Sequence, residues 1–224
     1  MLIHQLHLAT HRLAAQRRFY HDLLGLPLLA AQADQITLQA GQSTLVFTAA
    51  PDSAPAHYHF AFNIPATQFA EAKAWLARRA PLLSDSHGAD EFNFTAWNAH
   101  AVYFADPDGN IGELIARRDL PAPGARPFSA ASLLSISEIG LVVEDVLHFV
   151  RNLQTSLPLP VYLQPPTETF TPLGDAHGLL IVVKTGRRWY PEERVAAVPA
   201  PLKIDFSAAP GGRHTLEGPP YQLA

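Results

Sequence analysis

The sequence predicts an α+β fold built from repeated βαβββ units, whose paired, curved mixed sheets enclose a cavity. Two observations favour this fold. Amphipathic strands and helices follow one another in the same order along the chain. The spacing is also regular, because 40 residues separate Gln5 from Leu45 and also Glu138 from Gly178. Units of this size, with one helix against a small sheet, are typical of layered α+β architectures.

The first unit opens with a strand and a helix. Residues 3–10 can be read in alternation, with Gln5 and His7 on one face, which is the period of a half-buried strand. Apolar residues at helical spacing over 12–24 predict a helix, which a glycine and a proline end. The turn signals that follow predict three short strands, at 26–31, 35–39 and 43–49.

The second unit repeats this order, with a strand at 58–64 and a helix at 67–79. Its last two strands, at 101–105 and 111–116, flank the segment Asp106-Pro107-Asp108-Gly109-Asn110. Proline fixes φ and glycine tolerates a positive φ, so this segment predicts a tight reversal between antiparallel strands.

The predicted organisation has four parts: a two-unit module over 1–118, a linker over 119–133, a partial second module over 134–206 and a tail over 207–224. The linker is rich in Pro, Gly, Ala and Ser. The tail has little to bury, and we expect it to be loosely ordered. The partial module contains one unit and the opening strand of a fourth, with a helix at 144–153 and strands at 136–143, 161–163, 167–171, 179–184 and 202–206.

Composition excludes several classes of protein. Of the 224 residues, 48% are apolar and only 16% are charged, which predicts a globular chain. The absence of cysteine excludes a disulfide scaffold and a thiolate metal site. A net charge of −4, with no basic stripe, argues against a nucleic-acid partner. No apolar run is long enough for a membrane span, and the opening residues lack the pattern of a signal peptide, so we expect no membrane association and a cytoplasmic location.

Three side chains are candidates for a common site in the cavity. Gln5 and His59 lie on first strands, opposite the helix-covered face, and Glu113 lies on the last strand of the second unit. We expect the three to converge when two units pair. Glu113 stands in the apolar run IGELIA, where a carboxylate is costly unless a cation neutralises it. A metal ion would provide that charge.

The motifs resemble those of the vicinal oxygen chelate superfamily, which includes glyoxalase I, bleomycin-resistance proteins and extradiol dioxygenases. The resemblance is carried by FYHDLLGLP over 19–27, YHFAF over 58–62, VYFADPDGN over 102–110 with Glu113 behind it, and a shorter echo over 135–184. It covers the first two units well and the third in part, and it implies a glyoxalase/dioxygenase-like fold.

The resemblance implies one divalent metal ion, Fe, Mn, Ni or Zn, bound by Gln5, His59 and Glu113. It also implies that Tyr103, ten residues before Glu113, contacts the substrate. Tyr103 and Glu113 are therefore the candidate catalytic residues. His7 could supply a further imidazole, and His87 could act as an acid or base on a loop over the cavity mouth.

The sequence departs from each branch of this superfamily. Extradiol dioxygenases have His at the position of Gln5, and glyoxalase I has a second carboxylate at the position of Leu45. In the third unit Glu138 occupies the first-strand position, but its partner positions hold Gly178 and Lys203. We therefore expect no second metal centre, and the third unit is expected to cover or extend the first site.

The leading hypothesis is a metal-dependent enzyme of the glyoxalase or extradiol dioxygenase type, acting on a small molecule with vicinal oxygens, with ring cleavage as one compatible reaction. The alternative is a non-catalytic small-molecule-binding protein of the bleomycin-resistance type. That alternative predicts an aromatic-lined cleft, no bound metal and no perturbed carboxylate at Glu113. In either case the ligand could be aromatic, and unpaired sheet edges predict a homodimer.

Overall fold

The computed structural model describes residues 1–50, 57–120, 127–208 and 212–224. Residues 121–126 of the predicted linker and 209–211 of the predicted tail lie outside this part. The described strands are β1 Leu2–Thr10, β2 Leu28–Ala31, β3 Gln35–Ala40, β4 Ser43–Ala49, β5 His59–Ile64, β6 Leu82–Leu83, β7 Phe92–Phe94, β8 Ala99–Ala105, β9 Ile111–Arg117, β10 Ser135–Val143, β11 Phe170–Asp175, β12 Gly178–Lys184, β13 Leu202–Ser207, β14 Arg213–Gly218 and β15 Gln222–Leu223.

Three α-helices accompany these strands: α1 Leu13–Arg17, α2 Phe69–Ala77 and α3 Val146–Ser156. A π-helical turn, Arg18–Leu23, extends α1 to the end of the helix predicted over 12–24. Short 3-10 helices lie at Ala66–Gln68, Thr95–Trp97 and Ala130–Ser132. None of the described helices is both long and apolar enough to span a bilayer. The strand-rich mixture confirms the predicted α+β class.

The units pair in an order that the sequence does not predict. In the second unit β5 runs parallel to β9, in the third β10 runs parallel to β12, and β5 pairs with β10 in antiparallel fashion. The first unit instead pairs through β1 with β13, also antiparallel. The strands next to β1 and the strands of the second and third units are joined into one sheet by a single register pair, Ile3 with Ile136. The cavity next to Glu113 therefore lies between the second and third units, and not between the first and second.

Both faces of β5 are covered, because all six of its residues are buried. Phe60, Phe62 and Ile64 belong to the large core that contains residues of α2 and α3. Ala61, on the opposite face, belongs to a smaller cluster with Tyr103 and other side chains of the second and third units. This second cluster forms the cavity side of the sheet. The parity of the residues on β5 therefore places His59 there, as the sequence predicts.

The C-terminal region is more ordered than the sequence predicts. In the predicted tail, β14 extends the sheet next to β13, and β15 follows it. Leu216 and Tyr221 are buried there, so two isolated apolar residues anchor a segment that is otherwise polar and rich in glycine and proline. By contrast, the strand predicted at 161–163 is reduced to one bridge between Val161 and Leu173.

The described part of the predicted linker also packs onto the core. The Phe128 ring lies edge-on to Trp75 of α2, with 5.3 Å between the ring centroids. Leu133 is likewise buried. Phe128 and Leu133 both belong to the large core, so this part of the predicted linker is packed against the fold.

Candidate metal centre and cavity

A cavity of about 420 Å³ lies between the sheets of the second and third units. Three ionisable side chains, His59, Glu113 and Glu138, are grouped in its wall. Much of the remaining surface is aromatic and comes from Phe94, Trp97, Tyr103, Phe170, Trp189 and Tyr190. The cavity therefore combines a small polar group with flat apolar walls, as small-molecule sites commonly do.

Strand register brings the two glutamates together. Ala61 of β5 is the register partner of Glu113 on β9 and also of Glu138 on β10. The two carboxylates therefore flank one small side chain on the same face of the sheet, where neighbouring strands bring side chains into contact. Both are almost fully buried, at 2% and 3% exposed. A bulge between Ile136 and Glu138 sets this register.

Burial raises the pKa of both glutamates. For Glu113 the rise is large, and the neighbouring Glu138 carboxylate adds to it, while the Arg117 guanidinium opposes it. For Glu138, Arg117 opposes the effect of burial through its charge and through a hydrogen bond. The protein thus holds two carboxyl groups in its interior with one guanidinium to neutralise them, an arrangement that favours a further cation.

His59 presents an unprotonated nitrogen to this pair. Its Nδ1 lies 3.3 Å from the carbonyl oxygen of Ile111, which can only accept, so Nδ1 carries the proton. Nε2 then faces Oε2 of Glu113 at 3.5 Å and Oε2 of Glu138 at 3.9 Å. Burial lowers the pKa of His59 to about 4, so the ring is neutral at neutral pH. The lone pair of Nε2 therefore points towards two carboxylates.

Further side chains hold the carboxylates in position. Tyr103 of β8 is the register partner of Glu113, and its hydroxyl is hydrogen-bonded to that carboxylate. Arg117 donates from Nη2 to Oε1 of Glu138, and its guanidinium lies 5.4 Å from the ring centroid of Trp97. Partners of this kind orient the groups that bind a metal. Burial and the nearby Glu113 raise the pKa of Tyr103, which keeps its hydroxyl protonated.

The donor set fits a divalent cation. One atom each from His59, Glu113 and Glu138 lies within 4.8 Å of the other two. Imidazole nitrogen and carboxylate oxygen, without thiolate, suit first-row ions such as manganese, iron, nickel and zinc. A cation among these atoms would satisfy the Nε2 lone pair and neutralise the carboxylates.

The structure brings three of the predicted site residues together and leaves the others elsewhere. His59, Tyr103 and Glu113 line the same cavity, but Gln5 does not. The Gln5 amide donates to Thr44 Oγ1 at 3.0 Å, and its oxygen lies 2.8 Å from Nε2 of His7. The predicted meeting of Gln5 with His59 and Glu113 is therefore wrong, because β1 pairs with β13 and not with β5.

His7 and His87 also lie outside this cavity. His7 is adjacent to Gln5 on β1, on the same face of the strand. His87 is exposed on a loop, where its backbone N–H donates to Asp85. Glu138 takes the place of Gln5 in the group of side chains that could hold an ion. Its position on the first strand of the third unit is visible in the sequence, but the partner of that unit is not.

Comparison with known proteins gives a consistent result. Residues 5–115 match the family model of the glyoxalase-like domain. A comparison with curated protein sequences gave no significant match. Among solved structures, a candidate dioxygenase from Bacillus subtilis subsp. subtilis matches with a TM-score of 0.58 and 14% identity, over 82% of this chain and 63% of the other. The chain thus spans less than two thirds of the length of the Bacillus protein.

Two smaller proteins match about half of the chain. A lactoylglutathione lyase from Agrobacterium tumefaciens is 21% identical, with a TM-score of 0.42, over 51% of this chain and 92% of its own. A bleomycin resistance determinant encoded on the transposon Tn5 is 23% identical, with a TM-score of 0.40, over 51% of this chain and 96% of its own. The predicted resemblance to the vicinal oxygen chelate superfamily is confirmed, because residues 5–115 match the glyoxalase-like domain of that superfamily.

Proposed function

We propose that the protein is a metal-dependent enzyme of the glyoxalase or dioxygenase type, acting on a small substrate with two adjacent oxygen atoms. One observation carries the proposal: possible ligand atoms of His59, Glu113 and Glu138 lie within 4.8 Å of one another at the wall of an aromatic cavity. The burial of two carboxyl groups beside a neutral imidazole costs free energy, and a bound cation would offset that cost.

His59, Glu113 and Glu138 would hold the ion, and three protein ligands leave coordination positions open. A bound divalent ion supplies Lewis acidity, which stabilises negative charge on coordinated oxygens. The chain supplies the surroundings. Tyr103 holds a proton on its hydroxyl, next to Glu113, where it can donate to a substrate oxygen. The aromatic walls exclude water from a planar substrate and fix its orientation.

Metal analysis of the purified protein is the direct test. The protein is stripped with a chelator, reloaded separately with manganese, iron, nickel and zinc salts, and assayed for bound metal by elemental analysis. We expect one ion per chain in the parent and loss of that ion in Glu113→Ala and Glu138→Ala. Glu217→Ala, which alters an exposed glutamate of β14, is the matched control and should bind metal as the parent does. Equal metal content in all four proteins would refute the site.

Activity is the second part of the test. Catechol and the adduct of methylglyoxal with glutathione represent the two reaction types, and the metal-loaded protein should turn over a substrate of one of these classes. Circular dichroism of each variant separates loss of metal from loss of fold. Failure to convert any compound with vicinal oxygens, by a protein that holds its metal, would contradict the enzymatic part of the proposal.

A non-catalytic binding protein is the second candidate, and the aromatic walls are the observation that favours it. The hypothesis of a binding protein also predicts an ordinary pKa for the Glu113 carboxylate. Burial instead raises the pKa of that group far above its usual value. The metal-dependent enzyme is therefore the better supported candidate. Ligand affinity that is the same before and after chelation, with no turnover, would support the binding protein instead.

A further inference from the structure

We propose that Arg187 is an anion-recognising residue of the cavity, and that the natural ligand is an aromatic molecule with a carboxylate substituent. The inference deepens the proposed function by naming a substrate class for the same cavity. The position, partners and charge of Arg187 support this assignment, and ligand binding tests it without turnover.

Arg187 lines the cavity as a half-buried cation. It follows β12, two residues before Trp189, and both side chains contribute to the wall. Its guanidinium carbon lies 5.1 Å from the ring centroid of Phe170, which is also in the wall. Stacking of this kind fixes the plane of a guanidinium and leaves its edge free to form paired hydrogen bonds.

The guanidinium has unused hydrogen-bonding capacity. Within the described part of the chain, its hydrogen bond is from Nη1 to the carbonyl oxygen of Arg188, at 3.2 Å. No described carboxylate lies within ion-pair distance of Arg187, in contrast to Arg117, which is paired with Glu138. Glu193 interacts with Arg187 only at longer range, from an exposed position. A guanidinium has five N–H donors, so most of those on Arg187 remain available to a ligand.

Arg187 shares its cavity with the metal-binding group. The same space is lined by Arg187 and by His59, Glu113 and Glu138. The guanidinium is therefore open to the same ligand as the atoms that would hold the ion. A single ligand in the cavity could contact the ion at one end and Arg187 at the other.

Charge balance indicates what that ligand carries. With an ion bound, Glu113 and Glu138 would contribute two negative charges, and Arg117 and Arg187 two positive charges. A divalent ion would then leave two positive charges in a buried space, which is unfavourable unless a ligand neutralises them. A molecule with one ionised oxygen on the ion and one carboxylate on Arg187 supplies both negative charges.

The walls indicate the rest of the ligand. Trp97, Phe170 and Trp189 present ring surfaces to a space of about 420 Å³, near the lower end of the usual range for small-molecule sites. A single aromatic ring with its substituents suits that size and those flat surfaces. Together these features select an aryl carboxylate with adjacent ring oxygens over a neutral catechol.

Binding to the metal-free protein provides the test. The probes are dihydroxybenzoate and its neutral amide, dihydroxybenzamide, which differ mainly in charge. Quenching of Trp97 and Trp189 fluorescence reports binding, because both indoles line the cavity. The parent should bind the acid about tenfold more tightly than the amide, given the usual strength of hydrogen bonds to charged groups. Arg187→Gln should remove that preference. Arg188→Gln, which alters the exposed neighbouring arginine, is the matched control and should keep it.

Three results would overturn the inference: equal affinity of the parent for both probes, an unchanged preference in Arg187→Gln, or binding of neither probe. Arg187→Lys keeps the charge and should retain part of the preference, which guards against a folding defect in the glutamine variant. Metal content is measured separately. If the chain binds no metal but its preference for the acid depends on Arg187, the anion site stands and the metal-dependent function fails. If the chain binds metal without that preference, the metal site stands and the anion site fails.

Discussion

Arg117 donates a hydrogen bond from Nη2 to Oε1 of Glu138, and this buried ion pair joins the second unit to the third beside the cavity. Arg117 is fully buried, and its guanidinium carbon lies 5.4 Å from the ring centroid of Trp97 and 5.4 Å from that of Tyr162. The pair holds the Glu138 carboxylate in position and links the two units whose sheets form the cavity.

We expect Arg117→Met to destabilise the metal-free protein by about 3–5 kcal/mol, because Glu138 would remain buried without its partner. Urea unfolding measures the change. The double variant Arg117→Met/Glu138→Gln should lose less than the single one, since it removes both charges. Arg118→Met is the control, because Arg118 is exposed and its substitution should cost little. Equal losses in the two arginine variants would show that the buried pair has no special role.

Gln5 offers a second prediction, because sequence and structure assign it differently. The structure places its amide between Thr44 and His7, outside the cavity of His59 and Glu113. Gln5→Ala should therefore retain the full metal content of the parent and lose only about 1 kcal/mol of stability, the usual contribution of a hydrogen bond. Elemental analysis after reloading measures the metal content. Metal loss in a folded Gln5→Ala protein would restore the arrangement expected from the sequence.

Local sequence patterns predict the cavity-facing residues but not the partners of the units. Alternation on β5 identifies the face of His59, and the turn between β8 and β9 places Tyr103 beside Glu113. These features depend on residues close together in the chain. By contrast, β1 could pair with β5 or β13, because all three strands have similar apolar alternation. The choice depends on packing across the whole molecule, so Glu138 could not be assigned to the site.

The C-terminal strands also could not be predicted from local sequence patterns. Residues 207–224 contain few apolar side chains, and no strand is predicted there. In the structure β13 has backbone N–H and C=O groups along its free edge. These groups pair with β14 along six register pairs. The backbone hydrogen bonds that stabilise β14 are independent of side-chain type, so composition gives little sign of them.

Tyr103 gives a prediction about chemistry. Its hydroxyl is hydrogen-bonded to Glu113 and protonated, so it can donate to a substrate oxygen. Tyr103 is not one of the three residues grouped as metal-binding candidates. Tyr103→Phe should keep the metal and lower kcat of the loaded enzyme by about 10²-fold or more, the usual effect of losing a positioned proton donor. Steady-state kinetics and elemental analysis on the same preparation separate the two effects. Unchanged kcat would leave Tyr103 as a wall residue only.

Gly140 is required for the position of Trp189. A Cβ at residue 140 would lie 2.6 Å from Cη2 of the Trp189 ring, closer than packed atoms allow. Gly140→Ala should therefore displace the indole, destabilise the protein by about 1–3 kcal/mol and weaken ligand binding in the cavity. Trp189→Phe in the same chain removes the clashing ring and should recover most of the stability. Failure of this rescue would mean that the alanine acts on the backbone and not on the wall.

Asp106 provides a prediction on pH that is independent of the metal centre. Its carboxylate accepts hydrogen bonds from Gln16 at 2.9 Å and Tyr20 at 3.1 Å, and from two backbone N–H groups of its own turn. Burial nevertheless raises the pKa of Asp106 from 3.8 to about 6. A pKa that is higher in the folded state favours the protonated form. Its contribution to stability is therefore complete below pH 3.8 and is lost as the pH rises through 6.

The stability of the parent relative to Asp106→Asn should accordingly fall between pH 4 and pH 7. The total change is about 3 kcal/mol, from a shift of about two pH units at 1.36 kcal/mol for each. Asparagine keeps an acceptor for the backbone N–H groups but does not titrate, so the difference between the two proteins isolates Asp106. Urea unfolding across this range measures it, and NMR titration of the carboxyl group gives the pKa directly. A difference that rises with pH would show that the hydrogen bonds outweigh burial, and that Asp106 stabilises the turn as an anion.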